Sequence, residues 1–194
     1  MHSSYMANNF YDVICNTVFA FPASVAVELG VLDGYSTMAI AESLSQISIL
    51  KQQTGHLHSY DLWEDYPYRH GDIDKVTKML KDNDLLEFVS LYKMDAYEVH
   101  NSYEDNSVDL LHIDISNDGD ALEKMMELWH PKIRHCGLIL FEGGSEERDK
   151  IEWMVKYNKK PIRPVLDSLK IIQENYIYGT YDLFPSLTIM KRIT

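Results

Sequence analysis

Cysteine is scarce in this chain. The 194 residues hold two, Cys15 and Cys136, far apart and in no CxxC or CxxH pattern. That excludes a disulfide-stapled scaffold or a zinc ribbon and points to reduced thiols in a cytoplasmic protein. No run of ~18 apolar residues exists, so nothing reads as a membrane-spanning helix. The opening MHSSYMANNFYDVICNTVFAF is apolar in patches but has no basic leader and no clear small-residue cleavage site. It reads as a docking helix, a helical extension over residues 1–22 that hints at a homodimer contact or a lid. Positive charge is also short: 18 Lys and Arg stand against 30 Asp and Glu, a net charge of −12. Such a surface repels phosphate backbones, which excludes bulk nucleic-acid and anionic-membrane binding and leaves a small molecule as the expected partner. Internal repeats, Gly/Ser linkers and low-complexity tracts are absent as well, so the chain reads as one domain.

What the chain does have is alternation. SVAVELG (Ser24–Gly30) is strand-like and precedes the helical YSTMAIAESLSQISILK. HLHSYDLW (His56–Trp63), EFVSLYKMD (Glu87–Asp95), SVDLLHIDIS (Ser107–Ser116) and CGLILFEGG (Cys136–Gly144) are further strand candidates. Between them lie the helical DIDKVTKMLKDN and DALEKMMELWHPKI, and SEERDKIEWMVKYN follows with a serine cap and an acidic first turn. SLKIIQENYIYGTYDLF and PSLTIMKRI read as two closing strands joined by a turn. Strands alternating with helices imply right-handed crossovers and a parallel sheet covered on both faces. A closing pair without a helix implies an antiparallel last strand. In such sheets ligands sit beyond the carboxyl ends of the strands.

The turn after the first strand, ELGVLDGYS, is wider than the G-x-G-x-x-G of dinucleotide-binding proteins and carries Glu28 before its first glycine. Gly30 and Gly34 let a backbone approach a ligand closely, and the amide end of the next helix favours a carboxylate. An acid at Glu28 repels pyrophosphate and suits an ammonium or sulfonium.

From VELGVLDGYS onwards the chain resembles the class I S-adenosylmethionine-dependent methyltransferases, nearest to their small-molecule O-methyltransferase-like group, over most of its length from about Ser24. The resemblance implies a Rossmann-like core over residues 23–194, a doubly wound, mostly parallel seven-stranded α/β sheet with an antiparallel last strand. It places Glu28, Gly30, Gly34, Tyr35 and Ser36 under the methionine part of S-adenosylmethionine. It puts Asp61 on the ribose hydroxyls, with Leu62 or Trp63 against the adenine face, and Asp95 with Ala96 near the adenine amino group. Trp63 fits core packing equally well. Asp114, ending the fourth strand, corresponds to the residue nearest the methyl-transfer centre. The family's catechol-type members also bind Mg²⁺, through an acid after the fourth strand and an Asp-Asn pair after the fifth. Here Asp114 and Glu142 are the corresponding metal candidates, while Gly143 offers no side chain.

An alcohol acceptor must lose its proton as the methyl arrives, so a base is wanted. Alternation puts His112 on the same face as Asp114, as a general base or as a packed structural histidine. SNDGD, with Asp118 and Asp120, either adds oxygen ligands or caps the next helix. Arg148 would serve an anionic acceptor, and DLWEDYPYRHGD, with Arg69 and His70, would cover the cofactor or grip the acceptor. The expected activity is methyl transfer to a small hydroxylated acceptor such as a sugar or nucleotide-sugar. A non-catalytic cofactor-binding protein and an NAD-dependent oxidoreductase are the alternatives.

Overall fold

The computed structural model describes residues 3–194, and these divide into two compact units that meet in sequence at Val99 and His100. In the first unit a 3-10 turn, Ser4–Asn8, leads into helix α1, Phe10–Ala20. Phe10, Ile14 and Val18 recur at the four-residue spacing that makes one helix face, and all are buried. Strand β1, Val25–Leu29, is followed by helix α2, Tyr35–Lys51, rich in Ala, Ile, Leu and Met. The docking reading of the N-terminal segment holds. Tyr11 donates to Glu42 (2.6 Å), Ser43 donates to the Cys15 carbonyl (3.0 Å), and the Tyr11 ring meets Tyr35 edge-on at 5.5 Å. Strand β2, His56–Asp61, helix α3, Ile73–Asp82, and strand β3, Val89–Lys93, complete the unit. The three strands are parallel, with Val25 opposite His56 and Leu57 opposite Val89.

The second unit begins with β4, Val108–Ile113, and helix α4, Gly119–Trp129, capped by Asp118 accepting from the Ala121 N–H at 2.8 Å. Strand β5, Ile133–Glu142, runs parallel to β4 and is buried on both faces from Gly137 to Glu142. Three short helices follow, α5, Glu152–Lys156, α6, Ile162–Ser168, and α7, Lys170–Asn175. The chain closes with β6, Tyr176–Tyr181, and β7, Leu187–Arg192. The strand order is β3-β2-β1-β4-β5-β7-β6, a seven-stranded sheet in which β7 pairs antiparallel with both β5 and β6. The doubly wound α/β architecture with an antiparallel last strand is therefore as the sequence predicts. Both cysteines are free.

Two segments differ from expectation. The first closing strand was expected from Ser168, but SLKIIQEN carries no apolar alternation, and its Lys, Gln and Glu form α7, so that β6 starts only at Tyr176. SEERDKIEWMVKYN is not one capped helix. Ser145 accepts from the Arg148 N–H (3.1 Å) to cap a single 3-10 turn, Ile151 is extended, and α5 begins one residue later.

Candidate functional site

In the first unit the turn between β1 and α2 is built around two carboxylates. Glu28 is fully buried, and its oxygens accept from the hydroxyls of Ser36 (2.6 Å), Thr37 (2.7 Å) and Ser59 (2.7 Å). Three donors from the start of α2 and the middle of β2 satisfy a charge that burial would otherwise penalise heavily. Glu28 and Ser36 were expected to face a sulfonium. Their hydrogen bonds lock strand, turn and helix together. Thr37 and Ser59 escaped sequence reasoning, although a serine inside the buried strand HLHSYD was the available signal.

Asp61 holds the other side of that turn. Its Oδ2 accepts from the Val31 (2.7 Å) and Leu32 (3.0 Å) amides, and its Oδ1 from the Trp63 amide (3.0 Å). Each carboxylate oxygen has two lone pairs, so Oδ1 retains capacity for a ribose hydroxyl. Gly30 and Gly34 flank the turn at φ 89° and 78°. Leu32 is left-handed at φ 50°, and its carbonyl lies where a Cβ on Gly71 would fall, at 1.7 Å. Only glycine allows that approach, and through it DLWEDYPYRHGD folds back onto the β1–α2 turn as a covering loop would. Salt bridges from Lys93 to Glu64 (2.7 Å) and Asp65 (2.9 Å) tie the loop to β3.

Trp63 takes the packing role: its ring is wholly buried, and its indole N–H donates to the Tyr92 carbonyl at 3.0 Å. The Tyr35 ring packs against those of Tyr5 and Tyr11 in the N-terminal segment. Leu62 is half-buried at the end of β2. Asp95 is exposed just after β3 and accepts from the Tyr97 amide (3.0 Å), with Ala96 half-buried beside it. A carboxylate at a strand end with spare acceptor capacity is what an amino group needs.

In the second unit the ends of β4 and β5 are joined by a polar network. The Asn117 amide donates to the carbonyls of Ile113 (3.0 Å) and Glu142 (2.9 Å), and its oxygen accepts from the Ile115 amide (3.3 Å). Arg148 turns inward: Nε donates to Glu142 Oε1 (2.8 Å), and Nη2 donates to Glu142 Oε2 (3.0 Å) and to the Asn117 carbonyl (3.3 Å). Both side chains are buried, at 7% and 5% exposure. Burial raises the Glu142 carboxyl against the opposing pull of Arg148. Burial also works against the Arg148 charge, but Glu142 outweighs it and holds the guanidinium above its ordinary range. Asp114, half-buried one residue past β4, is among the charges acting on Arg148. His112 is fully buried inside β4, opposite Leu140 and within reach of the Glu142 charge. That position fits the packed histidine better than a base open to substrate.

The metal expectation needs correction. Asp114 and Glu142 were its two candidates, yet both oxygens of Glu142 are engaged by Arg148. Asp118 caps α4 and pairs with Lys159 at 3.0 Å. Among the described residues no group of three or more His, Cys, Asp or Glu could hold a metal ion, so Mg²⁺ does not fit the residues present. Arg148, expected near an anionic acceptor, is spent on Glu142. Gly143 and Gly144 serve packing: the Gly143 carbonyl accepts from Thr188 at 2.7 Å, and a Cβ on Gly144 would lie 2.2 Å from the same hydroxyl.

A methyltransferase-domain family matches residues 27–142, which run from within β1 to the end of β5 and take in every strand-end acid described above. The chain belongs to that family. No curated protein matches it in sequence. Solved structures similar to this methyltransferase include a Geobacter sulfurreducens methyltransferase (TM-score 0.68, 14% identity, covering 96% of this chain and 79% of that one). The O-methyltransferase TomG of Streptomyces achromogenes, solved in complex with SAM, is similar at TM-score 0.70 and 12% identity, over 96% of this chain and 80% of TomG. SAH-bound Podospora anserina PaMTH1 is similar at TM-score 0.67 and 15% identity, over 100% of this chain and 80% of its own. These likenesses establish the class I methyltransferase fold.

Proposed function

We propose that this methyltransferase uses S-adenosylmethionine to methylate a hydroxyl oxygen of a small acceptor such as a sugar or nucleotide-sugar. The observation that carries the reading is the β1–α2 turn held open by Asp61, with Asp95 exposed at the end of β3, both inside the family-matched segment. S-adenosylmethionine supplies an electrophilic methyl on a sulfonium, leaving as S-adenosylhomocysteine. For their part, Asp61 Oδ1 would accept a hydrogen bond from a ribose hydroxyl and Asp95 one from the adenine amino group. Asp114 would take the acceptor's hydroxyl proton and pass it to solvent, and the chemistry the cofactor would supply is transfer of its methyl to that oxygen with loss of the C–S bond, giving a methyl ether and S-adenosylhomocysteine. His112, sealed in the sheet, fixes the surroundings of Glu142. The net charge of −12 favours a small acceptor over a nucleic acid. An NAD-dependent reaction loses its footing with the methyltransferase-domain match.

Calorimetric titration with S-adenosylmethionine, S-adenosylhomocysteine and NAD tests the cofactor half. Binding of the sulfur ligands alone is expected, and binding of NAD alone would sink the reading. A screen of hydroxylated acceptors with Asp114→Asn as control tests the chemistry. Turnover should disappear in the variant while its S-adenosylhomocysteine affinity stays. Equal turnover in both would remove Asp114 from the mechanism.

A further inference from the structure

Arg148 is the one strong cation buried at the strand ends of the second unit. Of its five N–H groups, Nε and Nη2 place theirs on Glu142 and the Asn117 carbonyl, while Nη1 is buried and makes no hydrogen bond among the described residues. The guanidinium also lies over the Trp153 ring, 5.8 Å from its centroid. Asn117 ties the same network to the Ile113 carbonyl and the Ile115 amide, the residues that flank Asp114. A permanent positive charge is thus fixed beside the loop carrying Asp114, by groups whose own positions are over-determined.

A divalent cation at such a place would fix the carboxylates around it and attract the acceptor oxygen as its proton leaves. Arg148 meets the first need without an ion, since it fixes Glu142 with a guanidinium that stays charged throughout the working pH range. It also closes the place to a metal. Glu142 has its two oxygens in a fork-to-fork pairing, and a second cation would face like-charge repulsion in a buried setting.

We propose that Arg148 takes the place of a divalent cation, so that this chain's methyl transfer proceeds without Mg²⁺, with Arg148 a positioning residue that fixes Glu142 and the Asn117 end of the loop carrying Asp114. The proposal rests on the methyl-transfer reading above.

The test uses Mn²⁺ as probe, followed through the free-ion electron paramagnetic resonance signal of the full chain with and without saturating S-adenosylhomocysteine. The wild-type protein should leave the signal unattenuated. Arg148→Gln, which frees the Glu142 carboxylate, should bind Mn²⁺ at least tenfold more tightly, and Arg148→Lys, which keeps a charge, should not. One equivalent of Mn²⁺ bound by wild type overturns the proposal, as does a folded Arg148→Gln that gains no affinity. The wild-type measurement keeps it falsifiable where Arg148→Gln does not fold. Calorimetry with S-adenosylhomocysteine on the same samples separates the two ideas. Failure to bind it removes the methyl-transfer reading and the proposal together, whereas Mn²⁺ binding by wild type alongside normal S-adenosylhomocysteine binding removes the proposal alone.

Discussion

Glu28 and Asp61 lie in one turn and do different work. Glu28 is a buried acceptor for three hydroxyls, and Glu28→Gln replaces one acceptor oxygen with a donor that faces hydroxyl groups. The variant should lose about 1–3 kcal/mol of stability, the usual cost of leaving a buried polar group unmatched. Urea unfolding with an unchanged midpoint would refute that role. Asp61→Ala releases the Val31, Leu32 and Trp63 amides, so it should lower stability and S-adenosylhomocysteine affinity together. Asp95 is exposed, so Asp95→Ala should weaken binding while stability moves by less than about 0.5 kcal/mol, as for ordinary surface substitutions. Paired thermal-shift and calorimetric measurements separate the two patterns. The sequence marked these acids as important because all stand at strand ends. It could not show that Glu28 is spent internally, since its partners Thr37 and Ser59 are ordinary hydroxyls until the fold brings them within 2.7 Å.

At the scale of elements, the loop from Asp61 to Asp72 depends on one close approach. Gly71→Ala would put a methyl 1.7 Å from the Leu32 carbonyl, against backbone that cannot swing aside. Its unfolding midpoint should fall clearly, and Leu32, left-handed at φ 50°, should lose its support. Limited proteolysis should then cut the loop faster in the variant, and equal rates would show that the contact is dispensable. Periodicity made β1 to β5 and α2 to α4 legible, because each buries a face or a whole strand. It failed for α6 and α7, which are one to two turns long and draw their order from tertiary partners. Asp149, 13 and 14 residues away, accepts from the first amides of α6 at 2.7 and 2.9 Å, and no local cap announces such a helix. Arg148 was misread for the same reason. Its position in SEER suggested a partner for an anionic acceptor, and only the fold shows that Glu142 takes it.

Across the whole molecule, two histidines set an acid response. Burial lowers His58, with His56 adding to it, and burial with the Arg192 charge lowers His130. A histidine whose folded value is depressed favours the folded state while neutral. Its contribution is complete above the unfolded value near 6.5 and is lost as pH falls through the folded value. Stability should therefore decline as the pH drops from about 7 towards 5, and less steeply in His58→Gln/His130→Gln. Denaturant midpoints across that range check it, and parallel slopes in both proteins would assign the decline elsewhere. Ligand at about 100 times its dissociation constant should add about 2.7 kcal/mol of stability at any fixed pH in this window.

The position of β7 has a consequence for the order in which the chain can assemble. β6 leaves the ribosome first, yet its only neighbour in the sheet is β7, which wedges between it and β5. The β6 backbone can therefore pair its amides and carbonyls within the sheet only once Leu187–Arg192 are in place. A chain truncated before Leu187 should therefore leave its β6 amides exchanging hydrogen freely, because the strand they pair with is missing.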